Sequence, residues 1–182
     1  AKDAAAQAAD VFLTWPDTVA SVEGTVIEMR ARADRFDRTL RYGLRAHVIV
    51  RETEAQARRA AERLVSKLDD DTGAAIRGRS LDSRSVGVSR QADLRDSAGD
   101  DGYAEANLWT GVGRARSGAG AAIVGDPDQV VAKLMAYRDV GVEAFILSGY
   151  THIAECDLVA RYVLPEIEHS ALKPRFSPTA GR

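Results

Sequence analysis

Apolar residues recur along this chain in two rhythms, and the changes of rhythm divide it into elements. Val11–Trp15 (VFLTW) is a short apolar run closed by Pro16 and Asp17, which predicts a buried strand ending at a turn. Asp17 or Thr18 then caps a helix, because Val19, Val22, Val26, Met29 and Ala33 follow at spacings of three and four, with Glu23, Glu28, Arg30 and Arg32 on other faces. A polar stretch, Asp34 to Thr39, leads into Leu40–Val50 (LRYGLRAHVIV). There Leu44, Ala46, Val48 and Val50 alternate with Arg45, His47 and Ile49, so a period of two sets Arg45 and His47 on one side. A second helix over Thr53–Leu68 is capped by Thr53 and carries an apolar stripe of Ala57, Ala60, Ala61, Leu64, Val65 and Leu68, with Glu54 and Arg58 four apart.

From Asp69 to Ala106 the pattern dissolves into Asp, Arg, Ser and Gly, interrupted only by residues such as Val86, Val88 and Leu94; some helix is expected between Ser83 and Leu94. An insertion of that size in a compact domain tends to be functional or mobile. The run NLWTGVGRARSGAGAAIVGDP, Asn107 to Pro127, follows. Gly111, Gly113, Gly118 and Gly120 oppose regular structure, so its first two-thirds read as a mobile loop carrying Arg114 and Arg116. Such a loop is a cationic lid for an anionic ligand or a solvated connector. Regularity returns with a strand at Ala121–Val124 and a helix capped by Asp126, with Pro127 at its first position, an apolar face of Val130, Leu134 and Tyr137, and Gly141 at its end. Ala144–Tyr150 (AFILSGY) is a further apolar strand, and His152–Glu168 a final helix with Ile153, Ala160 and Leu164 inward. Ser170–Arg182 reads as a loose tail.

The order is therefore strand, helix, strand, helix, insertion, strand, helix, strand, helix, within one domain over residues 1–169. Apolar strands each followed by an amphipathic helix indicate an α/β fold with a parallel sheet, either half of a (β/α)8 barrel or a small doubly wound sheet. Both place ligands at the carboxyl ends of the strands. The net charge of -2 speaks against a nucleic-acid or membrane-surface partner. No apolar run approaches the ~20 residues of a membrane span, and no signal-peptide pattern opens the chain. The single cysteine, Cys156, excludes an intramolecular disulfide and suits a reducing compartment, so a soluble, cytoplasmic protein is expected, with that thiol packed in a helix.

The strand-end rule gathers Trp15, Arg45, His47, Arg116, Tyr150 and His152 at one edge. Two guanidinium groups, two imidazoles, a phenol and an indole suit an anion beside an aromatic or oxidisable ligand, because arginine presents a rigid fork of donors to sulfonate, phosphate or carboxylate oxygens. They do not suit a metal: only two histidines reach this edge, and the strand-end aspartates are better explained as helix caps. No CxxC, P-loop or GxSxG pattern occurs, and GVGRARSG is not a dinucleotide fingerprint, because no strand precedes it and no helix opens from it. Each residue also has a plainer role: His47 as a hydrogen-bonded core residue, Tyr150 and His152 as helix-end packing, Trp15 and Trp109 as packing aromatics. Arg45 is harder to dismiss, because a charge in an apolar strand must find a partner or water.

The segments LRAHVIVRETEAQARRAAERL, NLWTGVGRARSGAGAAIVGD and FILSGYTH resemble the carboxy-terminal half of the reduced-flavin-dependent alkanesulfonate monooxygenases of the bacterial luciferase-like superfamily, from DVFLTW at Asp10 to the helix ending near Glu168. The resemblance implies a (β/α)8 barrel with an insertion, in a two-component system whose NAD(P)H-dependent reductase supplies reduced FMN. With O2, that flavin converts an alkanesulfonate to aldehyde and sulfite. By match of motifs it sets Arg45 and His47 beside flavin and sulfonate, Arg116 on a mobile loop closing over the site, Tyr150 and His152 near the sulfonate, and Trp15 in the pocket wall. Arg114 is carried with the same loop as a substrate- or flavin-binding cation. Two departures stand out: Thr151 occupies a position where the family commonly has proline, and Thr72–Gly102 matches only in patches such as SVG at Ser85–Gly87. The resemblance further implies that the chain holds only the last four strands, so that it is a fragment or is covered by another chain, with a homo-oligomer expected. The alternatives are a sister monooxygenase acting on a sulfone, a short-chain sulfonate or another organosulfur compound, and a non-catalytic half-barrel assembly module. An isomerase of phosphorylated sugars is disfavoured, because no carboxylate pair or lysine stands at a strand end.

Overall fold

The computed structural model describes residues 1–82, 85–116 and 120–170. Gly118 of the expected loop and the tail beyond residue 170 lie outside the described residues. The chain runs through α1 (Lys2–Ala8), β1 (Val11–Thr14), α2 (Val19–Asp34), β2 (Arg41–Val50), α3 (Glu54–Val65), α4 (Asp70–Leu81), α5 (Val86–Asp96), β3 (Tyr103–Glu105), β4 (Leu108–Trp109), α6 (Val112–Ala115), β5 (Ala122–Gly125), α7 (Pro127–Asp139), β6 (Ala144–Ser148) and α8 (His152–Tyr162), with a 3-10 turn at Leu164–Glu166. Helix starts follow local chemistry. Thr18 accepts from the Ser21 amide and Thr53 from that of Gln56, each at 3.3 Å. Asp126 and Gln129 form a reciprocal capping box at 2.9 and 3.0 Å behind Pro127. Gly141, with φ +107°, takes the left-handed position after α7 that other residues resist.

The ten-residue strand β2 is the spine of a six-stranded sheet. It pairs in parallel with β1, β5 and β6. At Gly43 its two neighbours are Leu13 and Ala144, and at His47 they are Ala122 and Ser148. Strand β6 therefore takes one edge, while β1 and β5 share the other end to end. A half barrel wound strictly in chain order would seat β6 beside β5; here it lies across β2. The short antiparallel strands β3 and β4 extend the sheet beyond β5.

Alternation along β2 decides which layer each residue joins. Tyr42, Leu44, Ala46, Val48 and Val50, with Ile123, pack against Val22, Val26 and Met29 of α2 and Val130, Leu134 and Tyr137 of α7. On the opposite face Ile49, Ala122 and Val124 are covered by Ala57, Ala60 and Ala61 of α3 together with Trp109 and Val112. That cover stops short. Leu13 and Ile146 are 47% and 49% exposed, and both share the open face with Gly43 and Arg45.

Several expectations are corrected. The insertion is largely regular: α4 and α5 fill most of Asp69–Ala106, with the helix expected near Ser83 starting at Val86. Its apolar stripe is thin, because α5 buries only Gln91, Ala92 and Leu94, and that thinness hid it from a periodicity reading. Asn107–Gly120 is not simply a loop. Leu108 and Trp109 pair with Ile123 and Ala122, and Val112–Ala115 make one helical turn. Gly111 is required there because a Cβ would lie 2.0 Å from the Trp109 ring. In α8, Ile153 is 88% exposed and Ala160 is also exposed; the buried position is Glu155, with Leu158 and Val159 partly buried against the core and Val163 buried just past the helix end. Glu155 can face inward because Arg51 grips its carboxylate at 2.6 and 3.0 Å. Cys156, next to it, is consequently exposed rather than packed. The α3 stripe is buried only to Ala61, with Leu64 38% exposed. No described helix is long and apolar enough to cross a membrane.

Candidate active site

His47 is held from both sides by register. Its neighbours on β5 and β6 are Ala122 and Ser148, and its Nδ1 lies 3.0 Å from the Ser148 hydroxyl, which also reaches the Ala46 carbonyl at 3.4 Å. With the hydroxyl proton directed to that carbonyl, the imidazole donates from Nδ1 and leaves Nε2 as an acceptor. The ring is 8% exposed. Burial first, then the charges of Arg45 and Arg116, lower its pKa to about 4, against a smaller opposing effect from the backbone of Ser148. His47 is thus a neutral imidazole at neutral pH inside a cationic surround.

Tyr150 lies just beyond the carboxyl end of β6, following Gly149, and its peptide bond to Thr151 is cis. Its ring centroid is 5.0 Å from that of His47 and 5.6 Å, edge-on, from that of His152 at the start of α8. Arg116, the residue after α6, donates to the Tyr150 hydroxyl and lies 5.7 Å from the ring centroid. Gly149 leaves room for the turn: a Cβ there would meet Glu155 Cβ at 2.5 Å. The Arg51–Glu155 pair ties the end of β2 to α8 and so sets where Tyr150 and His152 stand.

Arg45 shares the His47 face, two positions earlier, exposed beside Ile146. It also lines a groove of about 670 Å³ with Leu13, Trp15, Asp17 and the α5 residues Gly87 and Arg90. Trp15 packs under the insertion: a Cβ at Gly87 or Gly120 would approach its side chain to 3.3 or 3.1 Å. The structure therefore brings His47, Tyr150, His152 and Arg116 into one cluster, with Arg45 electrostatically joined to it and Trp15 on the adjoining groove. It does not bring Arg114, which lines a separate cavity between α4, α5 and α6. Among the described residues no group of His, Cys, Asp or Glu is arranged to hold a metal ion.

Residues that sequence reasoning passed over position this cluster. Buried Gln91 donates to the Pro16 carbonyl at 2.7 Å and accepts from the Ala121 amide at 3.0 Å, bridging the end of β1 to the start of β5. Arg90 reaches Asp17 at 3.2 Å and Ser21 at 2.9 Å, and Tyr137 donates to the Asp17 carbonyl at 2.6 Å. Ser148 and Glu155 had one usable signal each: the strand-end position of the first, and an acid one turn into the final helix for the second.

Residues 1–144 match the family model described as luciferase-like monooxygenase. A sulfoquinovose monooxygenase of Novosphingobium aromaticivorans is 60% identical over 172 residues, covering 94% of this chain and 48% of that protein. Another, from Agrobacterium fabrum, is 50% identical over 163 residues, covering 90% of this chain and 42% of that protein. The chain thus spans about half the length of these curated relatives. Among solved structures, DmoA from Hyphomicrobium sulfonivorans shares the fold with a TM-score of 0.65 at 19% identity, over 91% of this chain and 38% of that one.

Proposed function

Because the chain belongs to the luciferase-like monooxygenase family, we propose that it carries the sulfonate-binding side of a reduced-flavin monooxygenase acting on a sulfonated sugar of the sulfoquinovose class. The relatives' named substrate favours this organosulfur reading over a linear alkanesulfonate. The observation that carries it is the neutral, buried His47 ringed by Arg45, Arg116, Tyr150 and His152 on one face of a parallel sheet.

The donor set fits an anionic flavin and an anionic substrate. Leu13 and Ile146 offer an uncovered apolar floor for a planar ring, and Arg45 edges that floor with a permanent charge. Reduced FMN, delivered by a separate NAD(P)H-dependent reductase, supplies with O2 the oxidising power that turns sulfonate into aldehyde and bisulfite, leaving oxidised FMN and water. Arg45 and His152 hold sulfonate oxygens in this reading. Arg116, by donating to the Tyr150 oxygen, leaves the phenol proton free to point at the ligand, and His47 Nε2 stands ready to accept a proton. Fixed cations stabilise developing negative charge most strongly once water is excluded. Trp15 walls the sugar side. Cover for the open face comes from the rest of a barrel such as relatives of twice this length carry, or from another copy of the chain.

The test is sulfite release by the whole protein in the cytoplasmic two-component setting: reductase, NAD(P)H, FMN and O2, with sulfoquinovose or octanesulfonate. We expect sulfoquinovose to be preferred, and Arg45→Ala to lower kcat/KM by roughly 100-fold or more, the loss typical of removing a charge-stabilising donor. A preference for octanesulfonate would return the reading to alkanesulfonates. Absence of reduced-FMN binding would favour a non-catalytic half-barrel module.

A further inference from the structure

Beyond the sheet, a cavity of about 180 Å³ opens between α4, α5 and α6, and three guanidinium groups line it: Arg77, Arg95 and Arg114. Their charges are unequally met. Arg77 is satisfied, donating to both carboxylate oxygens of Asp96 at 2.8 and 2.6 Å. Among the described residues Arg114 has only Asp70, whose carboxylate is 3.9 Å away and fully exposed. Arg95 is half-buried and, among the described residues, hydrogen-bonds no carboxylate. It lies so close to the backbone of α6 that a Cβ on Gly113 would meet its Nη1 at 2.4 Å, so the glycine admits the guanidinium to the cavity wall. On the facing helix, Gly73 and Ala74 keep the opposite wall short.

A concave space faced by two under-neutralised guanidinium groups, with a third close by, is repulsive when empty and is relieved by an anion. Burial, and then the charge of Arg77, already press Arg95 toward its uncharged form, partly offset by Asp96. Arginine forks match oxyanions, and the affinity gain is largest where the site is partly desolvated. We propose that Arg95 and Arg114, backed by Arg77, form a binding site for a tetrahedral oxyanion, either a free ion such as phosphate or sulfate or the terminal phosphate of a mononucleotide. The site is separate from the His47–Tyr150 cluster. Its occupant joins α4, α5 and α6, which share little apolar surface of their own.

The test is isothermal titration of the protein with inorganic phosphate, sulfate and FMN in turn. An Arg45→Ala background weakens anion binding at the sheet site, so the two readings fail separately. In that background Arg95→Gln should weaken phosphate binding at least tenfold. Arg114→Gln, at an exposed position where folding is not at stake, should weaken it severalfold, and Arg95→Lys should fall between wild type and Arg95→Gln. If FMN binds with the same sensitivity to Arg95→Gln, the occupant is a nucleotide phosphate; if only the inorganic ions do, it is a free oxyanion. Phosphate, sulfate and FMN affinities unchanged by both Arg95→Gln and Arg114→Gln, or no binding of any of them, would overturn the proposal.

Discussion

The sheet and the insertion handle positive charge in opposite ways. On the sheet, Arg45 and Arg116 surround a buried imidazole whose place is dictated by register, with Ala122 on one side and Ser148 on the other. Packing puts the residue there and the electrostatics follow, driving His47 to its neutral form. In the insertion, α4 and α5 bury few side chains, and charged contacts hold them: Arg77 with Asp96 joins the two helices, and Arg58 of α3 pairs with Asp101 in the turn after α5 and lies 4.1 Å over the Tyr103 ring. A strand with two neighbours leaves a charged residue no freedom to choose its partner. A thinly packed helix leaves the partner to choose the helix's position, and its strength is then that of an exposed ion pair.

That contrast can be broken or sharpened by four measurements. The largest loss should come from the core that both α7 and β2 share. Leu134→Ala removes a side chain 2% exposed and should cost about 3–5 kcal/mol, read as a fall in the urea midpoint. Next is Glu155→Ala. It leaves Arg51 without its buried partner and should cost about 3 kcal/mol, while also displacing Tyr150 and His152; a double cycle with Arg51→Ala should recover much of the stability.

Third is pH. The folded pKa of His47, about 4, lies below the ordinary 6.5, so the unfolded chain takes up the proton first as pH falls. Its contribution is complete above pH 6.5 and is lost progressively down to about 4, a change of at most about 3 kcal/mol. His47→Asn should flatten that part of the stability profile. If the profile is unchanged, the imidazole is not held neutral. The smallest effect belongs to the insertion: Asp96→Asn breaks a pair whose side chains are 42% and 55% exposed, and should shift stability by less than about 1 kcal/mol, shrinking further in salt. A loss as large as that of Leu134→Ala would show the insertion to be integral to the core.

Alternation in Leu40–Val50 was enough to put Arg45 and His47 on one face, and the apolar runs at Val11, Ala121 and Ala144 were enough to predict a parallel sheet. The caps at Thr18, Thr53 and Asp126 and the stop at Gly141 are equally local, because each depends on residues within one helical turn. The face of α8 was not legible. Ile153 and Ala160 carry the right chemistry for a core, but the helix is rotated so that Glu155 meets Arg51, 104 positions earlier in the chain. Nothing near Glu155 in the sequence names that partner.

The same distinction separates the candidate residues from one another. The chain's own order of amino acids settled which side chains lie at strand ends, since strand period and helix caps are interactions between near neighbours. Only the folded arrangement decided that Arg116 reaches Tyr150 while Arg114, two residues before it, turns to Asp70 and Arg95. One helical turn at Val112–Ala115 sends the two guanidinium groups in different directions, and Val112 packs that turn into the same apolar cluster as α3, which lies far from it in sequence.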